Sequence, residues 1–265
     1  MLNFPRTGST FAREVIKKIH SQRLVHSPFT KIMNKLNLKT PSLLELDLPN
    51  YQSPNPLTRN TKGQHGAYCQ IPKAYLPKEI VTVMRNPYEI FLSTYQLGWW
   101  KKDFPLEKKT ILENFPNFPI LTMNEYVKLI QLSVEDKTGI NIGAHTVQFI
   151  RIFFKNPDEV LSNISENYLQ SDDLCIKDIA PDITILQQEN LNEELAFFLA
   201  KHGYTKKETD FVRNHKRVNT STYSVPDKNS LWTEEAINYV EESERFLFRI
   251  LKNRGFVYKK PVAQL

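Results

Sequence analysis

Residues 1–11, MLNFPRTGSTF, limit what the rest of the chain can build around them. Leu2 and Phe4 run into Pro5, and Arg6-Thr7-Gly8-Ser9-Thr10 follows. Phe11, Val15, Ile16 and Ile19 then recur at helical spacing, with Arg13, Glu14, Lys17 and Lys18 between them, which predicts an amphipathic helix. A strand, a tight turn and a helix N-terminus together make an anion site. The helix end offers unpaired N–H groups and positive dipole, Gly8 lets the backbone approach closely, and the hydroxyls and Arg6 add donors. The same residues also suit an ordinary strand-to-helix turn with a Ser/Thr cap. The nucleotide loop G-x-x-x-x-G-K-[ST] occurs nowhere in the chain.

A second stretch repeats this architecture. Residues 79–84 are mostly β-branched and apolar on successive positions, as in a strand buried on both faces of a parallel sheet. The strand ends in Arg85; Asn86 is placed to cap a helix, Pro87 suits its first position, and Ile90, Phe91 and Leu97 give it an apolar face. Ser93 stands eight residues after Arg85, two turns into that helix. A third unit comes late: residues 183–188 read as a buried strand, and Glu189-Asn190-Leu191 opens a helix that stops near His202-Gly203. Alternating strands and helices predict an α/β fold, a single P-loop-like domain over 1–265 with a mainly parallel central sheet and helices on both faces.

Between these units the signals are mixed. Leu43 to Leu46 suit a short strand, and residues 49–64 read as a polar surface loop. Residues 102–122 hold three prolines and three phenylalanines and read as an irregular segment. It opens a helical and irregular insertion over 102–170, with helices expected at 123–136 and 143–155. This insertion is the natural place for residues that select a substrate. Residues 213–232 read as a polar loop. A last helix begins at the Thr233 cap and carries the stripe Ala236, Val240, Leu247, Leu251.

Composition removes several function classes. The net charge of +6 over 265 residues suits anionic ligands, yet no block of like charge forms a nucleic-acid arm. Cys69 and Cys175 are too few for a disulfide framework or a cysteine metal site, and no apolar run reaches membrane-spanning length. A cytoplasmic protein without a membrane anchor is the expectation.

The two strand–turn–helix stretches, taken in order, resemble the PAPS-dependent sulfotransferases, which use 3′-phosphoadenosine 5′-phosphosulfate. Their first motif, roughly P-K-S-G-T-T-W, stands here as Pro5-Arg6-Thr7-Gly8-Ser9-Thr10-Phe11. Their second is a strand ending in Arg with Ser eight residues on, matched by Arg85 and Ser93. The resemblance implies that Arg6, Thr7, Gly8, Ser9 and Thr10 cradle the 5′-phosphosulfate and that Arg85 and Ser93 hold the 3′-phosphate. Phe11 matches a Trp that stacks near the adenine, although a Phe opening an apolar stripe also serves as core. Arg6 replaces the family's Lys, exchanging a compact point charge for a planar fork. Lys216 and Arg217 resemble the basic segment that closes over the 3′-phosphate.

The implied activity moves a sulfuryl group from PAPS to an acceptor hydroxyl, on a small molecule or glycan, by in-line displacement without a metal. Six histidines compete for general base: His20, His26, His65, His145, His202 and His215. The resemblance selects His65, which precedes Arg85 by 20 residues and follows Lys62. His20 and His202 are expected at helix ends, and Glu189 is placed to fix a loop by accepting hydrogen bonds. A kinase of related fold would need Mg²⁺ and ATP, and a non-catalytic binder of a sulfated or phosphorylated ligand would bind without turnover.

Overall fold

The computed structural model describes residues 1–26, 48, 50–51, 65–76, 79–102, 104–134, 140–172, 177–180, 183–216 and 231–263. The sequence readings at 43–46, at Lys62, at Cys175, at Arg217 and over most of 49–64 lie outside them.

Strands β1 (Ile80–Met84) and β2 (Ile183–Gln187) pair in parallel, Ile80 opposite Ile183 and Met84 opposite Gln187. The extended residues before Pro5 flank β1 on its other side, where the Leu2 N–H donates to the Val81 carbonyl (3.0 Å). Alternation then divides the side chains between two faces. Val81, Val83 and Leu186 enter one core with Phe11, Val15 and Ile19 of α1 (Ser9–His26) and Leu195 and Leu199 of α8 (Leu191–Lys201). Ile80, Met84 and Ile183 enter the opposite core with Phe149, Ile150 and Phe153 of α5 (Ala144–Phe153) and Leu247 and Leu251 of α11 (Arg245–Asn253). Each fully buried Val, Leu, Ile or Phe contributes on the order of 1.5–3 kcal/mol. These two cores hold the sheet between helices.

The fold is therefore mixed α/β, but mostly helical. Among the described residues the sheet has two strands, fewer than the mainly parallel central sheet expected from the sequence. The outer edge of β2 is closed by side chains: Arg254 Nη1 donates to the Ile183 carbonyl (3.1 Å), and the Gln187 N–H donates to Glu194 Oε2 (2.6 Å). Capping both ends in this way blunts an exposed strand edge.

A third core carries the middle of the chain. Helix α2 (Pro87–Leu97) begins as the sequence predicts, with Asn86 Oδ1 accepting from the Tyr88 N–H (3.2 Å) and Gly98 left-handed (φ 68°) at its end. Tyr88, Phe91 and Leu92 of α2 pack with Trp100, Ile111, Phe115, Leu121, Tyr126, Trp232 and Ile237. The segment 102–122 is thus not simply irregular. It contains helix α3 (Lys108–Asn114) and is anchored inward at Ile111, Phe115 and Leu121. Helix α4 (Met123–Leu132) follows from a capping box between Thr122 and Glu125, and two short helices, α6 (Pro157–Ser162) and α7 (Glu166–Gln170), follow α5.

Two further readings are corrected. The segment expected as a polar loop from 213 begins inside helix α9 (Lys206–Asn214), whose Thr205–Glu208 capping box starts it. The single C-terminal helix is two, α10 (Glu234–Ser243) and α11, broken at Glu244. Glu244 has no exposed surface. Its carboxylate accepts from the His145 N–H (2.8 Å), the Thr146 N–H (2.7 Å) and Thr146 Oγ1 (2.7 Å), so it caps α5 from a distant part of the chain. Gly143 makes room for it: a Cβ there would lie 2.1 Å from the Glu244 carboxyl carbon.

Candidate functional site

Three chain segments meet at the carboxyl edge of the parallel strands, where open α/β sheets bind ligands. The first is the turn after Phe4. Arg6 adopts φ 63° and Gly8 φ 89°, so two residues of one short turn are left-handed. For Arg6 this conformation is uncommon, and such outliers concentrate at binding turns. Thr7, fully buried, braces the turn by donating from Oγ1 to the Phe4 carbonyl (2.9 Å). Gly8 sits against the end of β2, where a Cβ would come 3.2 Å from Gln188 Cγ. Helix α1 starts at Ser9, so its first N–H groups open toward the turn.

The second segment is Arg85-Asn86 at the end of β1. Glu189, at the end of β2, accepts from the Asn86 N–H (3.3 Å), which ties the second and third segments together. That is the bracing role the sequence suggested for it. Arg85 Nη2 donates to Glu89 Oε2 (2.8 Å), while Arg85 Nε is buried and has no hydrogen-bond partner among the described residues. Glu89 and Ser93 are four residues apart on α2 and share a face. The guanidinium is therefore drawn along the side of the helix that carries Ser93, whose hydroxyl makes no hydrogen bond among the described residues. Glu89 was not singled out from the sequence, although its i,i+4 spacing from Arg85 was legible.

His65 approaches the first segment from outside the sheet. Its Nδ1 lies 3.2 Å from the Asn3 carbonyl oxygen, which can only accept, so Nδ1 carries the hydrogen and Nε2 holds the lone pair. Its backbone is fixed by the Tyr51 N–H donating to the His65 carbonyl (3.3 Å). Next to it the Gly66 backbone is pressed against Leu48, where a Cβ would come within 2.4 Å. Burial lowers the His65 pKa, the Asn3 bond opposes that, and the positive charges of Arg13 and Arg6 lower it further. The imidazole is therefore neutral at neutral pH, with Arg6 and Arg13 close by. Residues 65–67 carry no regular structure and lead into a 3₁₀ turn, Tyr68–Gln70.

Other sequence candidates are placed differently. Phe11 is 3% exposed and packs with Val81, Val83 and Leu186, leaving no open ring face for a base; of the two readings the sequence allowed, the structure takes the core one. Ser9 is buried and Thr10 half-buried in the first turn of α1. Lys216 is exposed and follows His215, whose carbonyl accepts from Asn192 Nδ2 (3.0 Å) in the first turn of α8. The His215 ring lies 6.0 Å from that of Phe11.

Three of the other histidines are occupied elsewhere. His20 is interior to α1, not at its end, and bonds the Tyr204 hydroxyl. His202 caps α8 and pairs with Glu79 (2.9 Å). His145 sits edge-on to Phe4 (6.4 Å) and Phe91 (4.4 Å), and burial pushes its pKa down to about 4.

The site thus gathers two guanidinium groups, a neutral imidazole with a free lone pair and the N-terminal turn of a long helix. Tyr126 stands near Arg6, whose positive charge partly offsets the upward effect of burial on the Tyr126 hydroxyl. Such a set can bind a dianion and accept a proton beside it. Set against family models, curated proteins and solved structures, the chain matches none.

Proposed function

We propose that this chain is a PAPS-dependent sulfotransferase, moving a sulfuryl group to an acceptor hydroxyl. The observation that carries the reading is Arg85. Its buried Nε–H has no partner among the described residues, at the same sheet edge as the left-handed Arg6–Gly8 turn, and Ser93 on the helix face of Glu89 has a hydroxyl that makes no hydrogen bond among them. Glu89 pairs one nitrogen of this guanidinium, but a buried Nε–H left without an acceptor is costly, and an anion supplies the missing one. On this reading the two anchoring points take the two phosphate ends of a 3′,5′-bisphosphorylated adenosine. On this reading the P-loop-like sheet extends the parallel pair β1–β2 through the flanking residues 1–4.

Bound PAPS would supply the sulfuryl group and a bisphosphate leaving group. Arg85 and Ser93 hold the 3′-phosphate; Arg6, the 7–10 backbone and the start of α1 hold the 5′ end. Arg6 offsets charge as it develops on the leaving oxygen. His65 Nε2 takes the proton of the acceptor hydroxyl as its oxygen bonds to sulfur and the sulfur–phosphate oxygen bond breaks. Fixing His65 through Asn3 keeps the correct tautomer for that step.

A thermal-shift panel of PAP (the 3′,5′-bisphosphate product), PAPS, ATP and NAD tests the reading, because a specific ligand raises apparent stability by mass action. Stabilisation by PAP and PAPS without Mg²⁺, and transfer of labelled sulfate to an acceptor from a hydroxyl library, are the expected results. Stabilisation by ATP with Mg²⁺ alone would replace this reading with the kinase one.

A further inference from the structure

We infer that the lobe formed by residues 97–120 docks on an anionic lipid bilayer. Its inner side joins the core shared with α2, α4 and α10, through Trp100, Ile111 and Phe115, with Leu121 just beyond it. The residue next to several of these anchors points outward instead. Trp99 beside Trp100 is 38% exposed, Leu112 beside Ile111 is 37%, Ile120 beside Leu121 is 81%, and Leu97 at the end of α2 is 41%. Single exposed apolar residues are ordinary, but four on one lobe make a surface that water does not favour.

The lobe presents these groups rigidly. The Ile120 N–H donates to the Asn117 carbonyl (2.7 Å), closing a tight turn, while Phe118 tucks against Trp100 (6.1 Å). Ile120 is left as a projecting tip between two inward anchors. Trp99 is stacked on Phe104 (6.1 Å, 25° between planes), which fixes its ring at the surface.

Charge identifies the partner. Lys101 and Lys102 lie beside Trp99, both are exposed, and neither makes an ion pair among the described residues. Lys101 instead rests over the Trp100 ring (5.3 Å). A Trp at headgroup depth, aliphatic side chains reaching the acyl boundary and free lysines above them are the pattern of an interfacial contact with acidic lipid. No helix among the described residues is long and apolar enough to cross a membrane, so the contact proposed is peripheral. The inference does not depend on the sulfotransferase reading.

The test is co-sedimentation of the full chain with phosphatidylcholine vesicles, with and without phosphatidylglycerol. Binding only to the anionic vesicles, weakening with added salt, is expected. Ile120→Glu and the pair Lys101→Glu, Lys102→Glu should each reduce vesicle binding by roughly tenfold or more, with thermal midpoint and PAP response unchanged. All three positions are exposed, so the variants fold. Equal sedimentation of wild type and both variants, no binding to either vesicle, or binding to an acidic polysaccharide in place of vesicles would overturn the inference.

Discussion

Glu244 offers an energetic prediction that can be worked from geometry. The carboxylate is fully buried, makes no ion pair among the described residues and is satisfied by three donors from His145 and Thr146. Burial raises its pKa to about 7 from 4.5, and those hydrogen bonds only partly oppose the rise. Between these values the folded protein holds a proton that the unfolded chain has released. Stability from this group is therefore highest at acid pH, falls as pH rises from 4.5 through 7, and is flat above. The whole gap corresponds to roughly 3 kcal/mol. Glu244→Gln cannot ionise and should lose that slope. Urea unfolding of both proteins near pH 5 and near pH 8 measures it, with other titrating groups cancelling in the difference. Wild type should exceed the variant by about 2.5 kcal/mol more at the lower pH than at the higher. A wild-type-minus-variant difference that is the same at both pH values would refute the argument.

Gly143→Ala drives a methyl group into the same carboxylate and should lower stability by about 1–3 kcal/mol, read as a shifted urea midpoint. Gly8→Ala forces a side chain into a left-handed turn against Gln188; a loss of about 1 kcal/mol or more, with weaker PAP binding by calorimetry, is expected. His65→Gln should reduce turnover by about 10²- to 10⁴-fold in a labelled-PAPS assay while leaving PAP affinity unchanged. Because the His65 pKa lies below the ordinary imidazole value, the wild-type rate should fall only on the acid side of that value; a plateau extending to acid pH would remove His65 as base.

Local signals made much of the fold legible. Asn86 and Pro87 start α2, Thr233 starts α10, and Gly203 follows the α8 cap, because caps and glycine turns are decided within a few residues. The break at Glu244 was not legible. Glu is at home inside a helix, and only the distant Gly143–Thr146 segment gives this one a reason to turn inward. Prolines around 105–119 masked α3, and polar composition masked α9 despite the Thr205–Glu208 box. At the site, the eight-residue step from Arg85 to Ser93 and the turn at Arg6 were visible, since both are sequence-local. The competition of Glu89 for Arg85, and the burial of Phe11 against β1, depend on how the elements pack.

Calorimetric titration of PAP into the wild type, Arg85→Ala and Ser93→Ala, in EDTA, tests the central claim most directly. The wild type should bind one PAP per chain without metal. Each substitution should weaken binding by about 1.5–3 kcal/mol, the range for hydrogen bonds to charged groups, with an unchanged thermal midpoint in the absence of ligand. No PAP binding by the wild type, or equal affinity in all three proteins, would contradict the assignment of this sheet edge to a 3′,5′-bisphosphorylated nucleotide.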